Sequence, residues 1–550
     1  MEELILKLKQ AGFAGETDTT PATLDFYSHD ASMFELQPAA VVMPKDSQDV
    51  QRLVKLVADA KSKQPHLSLT ARSAGTDMSG GAINDSIIVD FSKHFRKIGT
   101  VTSHSAHAQP GVFYRDFEPQ TLKHGALLPS FPASRELCTV GGMVNNNSGG
   151  EKSLEFGKTE KYVKELKAIF ADGNEYTVKP LDRRGLVKKM GQKNFEGRLY
   201  KKTFDLIEAN YDAIKAAKPN VTKNSTGYKL WDVWDRETGI FDMTQMIIGA
   251  QGTLGFVTDI HFKLVPNTKF SGVLVCFMKD MNELGEIINA VMAHKPATFE
   301  SFDNYTLMLS IKFFFFFHKT MGWKKLIKLG FQLIPDALIL ARGIPKLILL
   351  IEFTGASQQE VDDKINAMQA ALKPFKMEAT EDDDTEAKAW KFRVMRRESF
   401  NLLRKKVKDK HTAPFIDDLV VPPPYLPEFL PKLRRVINKY HLLATVAGHM
   451  GDGNFHVIPL MKLEDPKERR KLAPAMKEVN ELVLKYHGSL SGEHNDGLVR
   501  GPWLGEMYGQ HILQLFKATK NIFDPEGLFN PHKKANANWD YSFSHIRDHF

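Results

Sequence analysis

The amino-acid sequence predicts an α+β protein of two domains, on three observations. Its 550 residues are 42% hydrophobic and 25% charged, a soluble-enzyme composition in a chain too long for one core. Between residues 35 and 267, short β-rich runs alternate with glycine clusters and turn residues. From residue 268, strand-like runs such as GVLVCFM and LILLIEFTG are interleaved with helical patterns such as DDKINAMQAALK, the order expected of a second sheet with helices on one face.

Residues 1–34 read as a lead-in. MEELILKLKQAGF is short and amphipathic and lacks a small-residue cleavage site, so neither a signal peptide nor a membrane span is expected there. In PKDSQDVQRLVKLVADAKSK, Ser47 is the expected helix cap, and Val50, Leu53, Val54 and Val57 share one face. HLSLTARSAGTDMSGGAINDSIIVDFS then runs strand, glycine-rich loop, strand, and the alternation continues to Pro266. The second domain is expected over 268–515, with an insertion at about 312–346 that contains the low-complexity run Phe313–Phe317. Asp465, Pro466 and Glu468 read as a helix start, followed by a stripe of Leu472, Met476, Val479, Val483 and Tyr486. Gly488 ends it and delivers SLSGEHNDG. Residues 516–550 form a terminal segment.

Composition narrows the function classes. Net charge is +8, from 74 Lys+Arg against 66 Asp+Glu, which is mild for this length and gives no reason to expect nucleic acid. An anionic cofactor, an anionic substrate or an acidic membrane surface fits equally well. The two cysteines, Cys138 and Cys276, are too few for a disulfide framework, a four-cysteine zinc site or a cysteine-ligated iron–sulfur cluster, and they point to a reducing compartment.

Two kinds of motif carry chemistry. ARSAGTDMSGG, TVGGMVNNNSGG and IIGAQGTLGFVT are glycine clusters flanked by strand-forming residues, where backbone amides can converge on an anion or approach a large planar ligand. The first lies between two strands, so it is neither a Rossmann nor a Walker fingerprint. The second kind is AGHMGDGNFHVIPL, which sets His449 and His456 seven residues apart across a glycine turn. Two strands and a turn could bring both imidazoles onto one metal ion; taken alone, the pair could equally be solvated loop histidines.

In this order the three glycine loops, led by DASMFELQPAAVVMPKDSQDV, resemble the FAD-binding domain of the p-cresol methylhydroxylase or vanillyl-alcohol oxidase type. GHMGDGNFH, SGEHNDG and FDPEGLFNP are similar to the C-terminal half of FAD-dependent D-2-hydroxyacid dehydrogenases, the group of D-lactate dehydrogenase, D-2-hydroxyglutarate dehydrogenase and the glycolate oxidase flavin subunit. The resemblance covers about residues 25–535. It implies a FAD-binding domain over 35–267, a substrate- and metal-binding cap domain over 268–515, and a terminal segment that returns to the FAD.

Carried over by position, it implies that Arg72, Ser73, Ala74, Gly75, Thr76, Ser79 and Gly80 hold the FAD pyrophosphate. Pro132, Ser134, Thr139, Gly142, Asn147 and Gly149 would line the ribityl and flavin region. Gly252, Thr253, Gly255 and Val257 would complete the pocket, with Asn530 returning to it. Thr76 stands at the candidate position for covalent attachment, so the FAD is expected to be noncovalent. Gln251 stands where relatives often carry glutamate.

The resemblance further implies His449, His456 and Glu493 as ligands of a divalent metal, Zn²⁺ by its suitability for two imidazoles and a carboxylate. His494 would be the catalytic base and Arg397, ahead of its neighbour Arg396, the clamp on the substrate carboxylate. The implied reaction is oxidation of a D-2-hydroxyacid to the 2-oxoacid, with electrons passed to quinone or to a separate iron–sulfur or electron-transfer protein. Relatives acting on 2-hydroxyglutarate commonly carry polar residues where this chain has Ile416 and Ile458, which weakens the case for a second substrate carboxylate and favours a D-lactate-like monocarboxylate or a 2-hydroxyacid with an apolar tail, with D-2-hydroxyglutarate and glycolate left open. A flavin oxidase using O₂, a noncatalytic flavin relay subunit and a flavin-free metallohydrolase are the rival readings. Lysines interleaved with aromatic and aliphatic residues over 312–350 suit either a membrane-surface patch or buried elements joined by a basic loop, so the expected location is cytoplasmic, with contact to the inner face of the membrane open.

Overall fold

The computed structural model describes residues 1–304, 306–308, 344–375, 377–381 and 409–549. In the N-terminal part, a four-stranded sheet has the order Glu16–Asp18, Ala40–Met43, Ile87–Asp90, Leu69–Arg72. Its last three strands pair in parallel, so the first glycine cluster spans two adjacent parallel strands. The helix Ser47–Lys61 covers this sheet and buries Val50, Leu53, Val54 and Val57 as the pattern requires. Its cap is Asp46 rather than Ser47: the Asp46 backbone is extended and its carboxylate accepts the Asp49 amide at 3.0 Å, while Ser47 is already helical.

A second, antiparallel sheet of five strands follows, in the order Ile98–Val101, Ser105–Ala108, Phe256–Lys263, Val163–Ile169, Glu175–Val178. The strand Phe256–Lys263 begins directly after the third glycine cluster, so that cluster is held at the rim of this sheet.

The larger sheet, all antiparallel, belongs to the C-terminal domain. Its order is Met377–Glu381, Phe270–Met278, Leu347–Gly355, Thr298–Asp303, Leu443–His449, Asn454–Met461, His411–Thr412, with Leu419–Val420 also paired to Asn454–Met461. The helices Leu284–Ala293, Gln358–Leu372, Leu426–Lys439 and Leu472–Lys485 bury their apolar stripes in one core cluster with this sheet. The stripe Leu472, Met476, Val479 and Val483 is buried as expected, but Asp465 caps only the short helix Pro466–Arg469, and the long helix begins afresh at Leu472. The chain then turns back. Within the helix Leu504–Phe523, Leu504, Ile512, Leu515, Phe516 and Phe523 are buried in the core of the five-stranded sheet's domain, so the return starts ahead of residue 516. Phe529 packs edge-on against Phe256 at 4.8 Å. Truncating Phe516 in such a core would cost about 3–5 kcal/mol.

Candidate active site

The two histidines sit on a hairpin. Leu443–His449 pairs with Asn454–Met461 so that His449 faces Asn454 and Ala447 faces His456, which puts both imidazoles on one face of the sheet. Gly453 makes the turn possible: its φ is +65°, and a Cβ there would lie 1.8 Å from the Val421 carbonyl.

The loop SGEHNDG is drawn to this hairpin by Asp418. Its Oδ2 accepts the amides of Glu493 at 2.9 Å and His494 at 2.7 Å and the Ser491 hydroxyl, and its Oδ1 accepts Asn454 Nδ2 at 3.0 Å. Glu493 Oε1 consequently lies 3.3 Å from His449 Nε2 and 3.1 Å from His456 Nε2. The opposite ring edges are tied off by carboxylates: His449 Nδ1 meets Glu300 at 2.5 Å, and His456 Nδ1 meets Asp417 at 3.2 Å. Backing imidazoles with carboxylates in this way fixes the ring so that its free nitrogen can serve as a ligand. His494 lies alongside, stacked on His456 at 4.9 Å, with its Nδ1 2.6 Å from Asp417. The grouping whose candidate ligand atoms all lie within 4.8 Å of one another is Asp418, His456, Glu493 and His494, without His449. Asp418 is already committed to amide and hydroxyl donors, which leaves the two Nε2 atoms and Glu493 Oε1 as the better-directed set.

The electrostatics show how strongly this cluster demands positive charge. Burial alone would raise the Glu493 carboxyl, but Lys223 and His449 outweigh it and hold it well below the usual range. Burial would lower His456, yet hydrogen bonds to Asp417 and Glu493 raise it to about 10. His494 is likewise raised, since Asp417 and Asp418 overcome its burial. The donor set of two imidazoles and a carboxylate fits a divalent cation.

The N-terminal half of the chain contributes two buried lysines. Lys223 Nζ lies 3.2 Å from Asp452 Oδ2 and 3.6 Å from Glu493 Oε2, and Lys158 donates to the carbonyls of Gly492 at 2.6 Å and Asn224 at 2.9 Å. The run KNSTGY, Lys223 to Tyr228, lies along the SGEHNDG loop: the Ser225 amide donates to Ser491 O at 3.0 Å and the Gly227 amide to Asp496 at 2.8 Å.

One cavity of about 1560 Å³ joins this cluster to the glycine loops. Arg72, Ser73, Gly75, Thr76, Pro132, Ser134, Thr139, Gly142, Gly149, Gly252, Gly255 and Val257 line it, together with His449, His456, Glu493 and His494. Two of its glycines leave room that little protein fills. A Cβ on Gly252 would meet only Ala71 at 3.5 Å, and one on Gly142 only the hydroxyls of Thr139 and Ser73 at 3.4 and 3.5 Å. That is a cradle for a large ligand approaching backbone closely, as FAD would.

The remaining expected FAD contacts lie behind that wall. Ala74 shares the first loop's turn without lining the cavity. Ser79 hydrogen-bonds Asp77, and Gly80 faces Phe34 and Leu498. Asn147 caps its helix in a left-handed conformation and accepts the Glu160 amide at 3.1 Å; Thr253 bonds the Tyr228 hydroxyl at 2.7 Å. Asn530 donates to Gly81 O at 2.8 Å and Gln251 O at 2.7 Å and accepts from Thr70 at 2.9 Å, so it laces two glycine loops together from outside the cavity. Ile458 is on the cavity wall, whereas Ile416 is buried in the cap core away from it. Arg397 and Arg396 fall outside the described residues.

Reading by motif missed Asp417, Asp418, Glu300, Lys158 and Lys223. The available signals were an acidic pair inside the apolar run FIDDLVVPP and the turn-rich KNSTGY.

Known proteins share both halves of this architecture. Residues 38–179 match a FAD binding domain and residues 268–534 match the FAD linked oxidases, C-terminal domain. The chain is 28% identical to a D-2-hydroxyglutarate dehydrogenase of Pseudomonas putida over 96% of its own length, and it spans 51% of that protein's length. It is 24% identical to the glycolate oxidase subunit GlcD of Bacillus subtilis, covering 92% of this chain and 91% of that one. Among solved structures, p-cresol methylhydroxylase with substrate bound superposes at a TM-score of 0.67 with 15% identity, over 98% of this chain and 97% of the other. An alkyldihydroxyacetonephosphate synthase gives 0.66 at 15% identity, over 97% and 85%. The structural likeness is one of fold. The chain thus carries a FAD binding domain followed by the C-terminal domain of FAD linked oxidases, and the latter holds the histidine hairpin and the GEHNDG loop.

Proposed function

We propose that this chain is an FAD-dependent dehydrogenase that oxidises a D-2-hydroxyacid to the 2-oxoacid. The observation that carries the proposal is the convergence of His449 Nε2 and His456 Nε2 on Glu493 Oε1, beside His494, in the same cavity as the glycine loops. Relatives named as D-2-hydroxyglutarate dehydrogenase and glycolate oxidase subunit support the substrate class.

The cavity-lining glycine-loop residues would hold FAD, and Asn530 would keep the loops in register. His449, His456 and Glu493 would hold a divalent metal, with Zn²⁺ favoured by the donor set. Bound there, FAD supplies an acceptor for the hydrogen on C2, and the metal a Lewis acid for the 2-hydroxyl and a carboxylate oxygen. His494 accepts the hydroxyl proton at Nε2, while Asp417 at its Nδ1 stabilises the imidazolium that forms. Lys223 keeps Glu493 ionised and turned toward the histidines. Arg397 is proposed as the carboxylate clamp on the family resemblance alone.

Ile458 offers an apolar contact on the cavity wall beside the histidine hairpin, which supports a D-lactate-like monocarboxylate over a substrate with a second carboxylate. The electrons would pass to quinone or to a separate electron-transfer protein. The basic, aromatic segment offered as a membrane contact lies, over 309–343, outside the described residues, and no helix among the described residues is long and apolar enough to cross a membrane.

The test is anaerobic mixing of the FAD-loaded protein with a panel of D- and L-2-hydroxyacids while flavin absorbance is followed. D-lactate or a similar D-monocarboxylate should bleach the flavin. A flavin that stays oxidised with every acid would overturn the dehydrogenase reading.

A further inference from the structure

Asp417 is fully buried just before the short strand Leu419–Val420, and its backbone carbonyl is held by Arg500 at 2.8 Å. Its two carboxylate oxygens serve two different rings: Oδ1 is 3.2 Å from His456 Nδ1 and Oδ2 is 2.6 Å from His494 Nδ1. An ionised carboxylate offers only acceptors, so each Nδ1 that faces it carries a hydrogen. Gripping both rings from one side stacks them, with an interplanar angle of 25°, and turns both Nε2 edges away from Asp417, toward the cavity that both residues line.

We propose that Asp417 is a shared positioning residue, a single carboxylate that sets the tautomer and orientation of both the imidazole that would bind metal and the imidazole that would take the substrate proton. The roles of the two rings rest on the dehydrogenase reading; the clamp itself rests on the geometry. Among the described residues, the neighbouring acids are committed elsewhere. Asp418 is occupied by the amides of Glu493 and His494, and Glu300 anchors His449 on the far side of the cluster. Sharing one carboxylate makes metal binding and proton transfer depend on the same group, and the chemistry of an isostere exposes this. An asparagine can accept from one Nδ1–H, but its NH₂ can only donate to the other ring. That ring must then carry its hydrogen on Nε2, which takes its lone pair away from the cavity.

The experiment compares Asp417→Asn and Asp417→Ala with the wild type in the full-length, FAD-loaded chain. Zn²⁺ affinity is measured by calorimetry after chelator treatment, and flavin reduction is measured at saturating D-2-hydroxyacid. Asp417→Ala, which frees both rings, should lower both quantities by about 10- to 100-fold. Asp417→Asn should lower at least one by a similar factor, with flavin content and thermal midpoint kept, since its shape is unchanged. An Asp417→Asn protein with wild-type Zn²⁺ affinity and wild-type flavin reduction would overturn the clamp. A wild type that binds Zn²⁺ but is bleached by no 2-hydroxyacid would instead overturn the dehydrogenase reading, and the Zn²⁺ affinities would still decide the clamp. A wild type that does neither overturns both.

Discussion

Lys223 reaches across the domain boundary to within 3.6 Å of Glu493 Oε2, with both side chains buried. It also pairs with Asp452 at 3.2 Å, so one ammonium from the N-terminal half of the chain compensates two carboxylates of the C-terminal domain. Removing one member of such a group leaves buried charge without a partner, which is far costlier than losing a surface ion pair. Lys223→Met should therefore destabilise the protein by about 3–5 kcal/mol in chemical denaturation, and added Zn²⁺ should recover part of the loss by replacing the missing positive charge. A variant as stable as wild type would remove Lys223 from this role.

The two histidines and the glycine loops lie in different domains but on one cavity, and this predicts separable losses. His449→Ala and His456→Ala should each lose bound metal, seen by elemental analysis, while the ratio of flavin to protein absorbance stays at the wild-type value. The same flavin should leave the polypeptide completely on denaturation, because Thr76 offers no covalent link. Yellow colour retained by the unfolded chain would contradict this.

Gln251 connects the glycine loops to the SGEHNDG loop. Its Nε2 donates to Ser79 Oγ at 2.9 Å and its Oε1 accepts the Gly497 amide at 2.8 Å. Glutamate could keep the second bond but not donate the first, and it would bring a second carboxylate toward Asp77, which already bonds Ser79 at 2.9 Å. Gln251→Glu should weaken FAD binding by about 1–3 kcal/mol, measured by flavin fluorescence on dilution. Unchanged affinity would mean that Ser79 does not need this donor.

Lys533 is 2% exposed and donates to the Ile83 carbonyl at 2.8 Å; burial pushes its pKa down to about 8. Its unfolded value is about 10.4, so between these values the unfolded chain binds more protons, and this lysine's contribution makes stability rise with pH. Below about pH 8 the buried charge is present in full and its cost is constant. The difference in stability between wild type and Lys533→Met should accordingly shift in favour of wild type as pH rises from about 8 to 10.5, in parallel urea titrations. A difference independent of pH would exclude the depressed pKa.

Periodicity and turn chemistry in the sequence determined a great deal. The buried face of the helix Ser47–Lys61, the stripe from Leu472 to Val483, the strand runs of the cap sheet and the glycine clusters all express local rules of spacing and steric freedom, which are written along the chain. The pair His449 and His456 was equally legible, because a hairpin brings together residues that are already close in sequence. Only the tertiary structure decided what surrounds them. Lys223 meets Glu493, and Asp417 spans His456 and His494, across separations for which no periodicity exists. Asn530, expected near the cofactor from its motif, donates to Gly81 and Gln251, partners that its neighbours in sequence do not reveal. A buried polar group must find its partner wherever the fold provides one. The identity of that partner is fixed by how two domains and a returning C-terminal segment pack, not by the residues on either side of it.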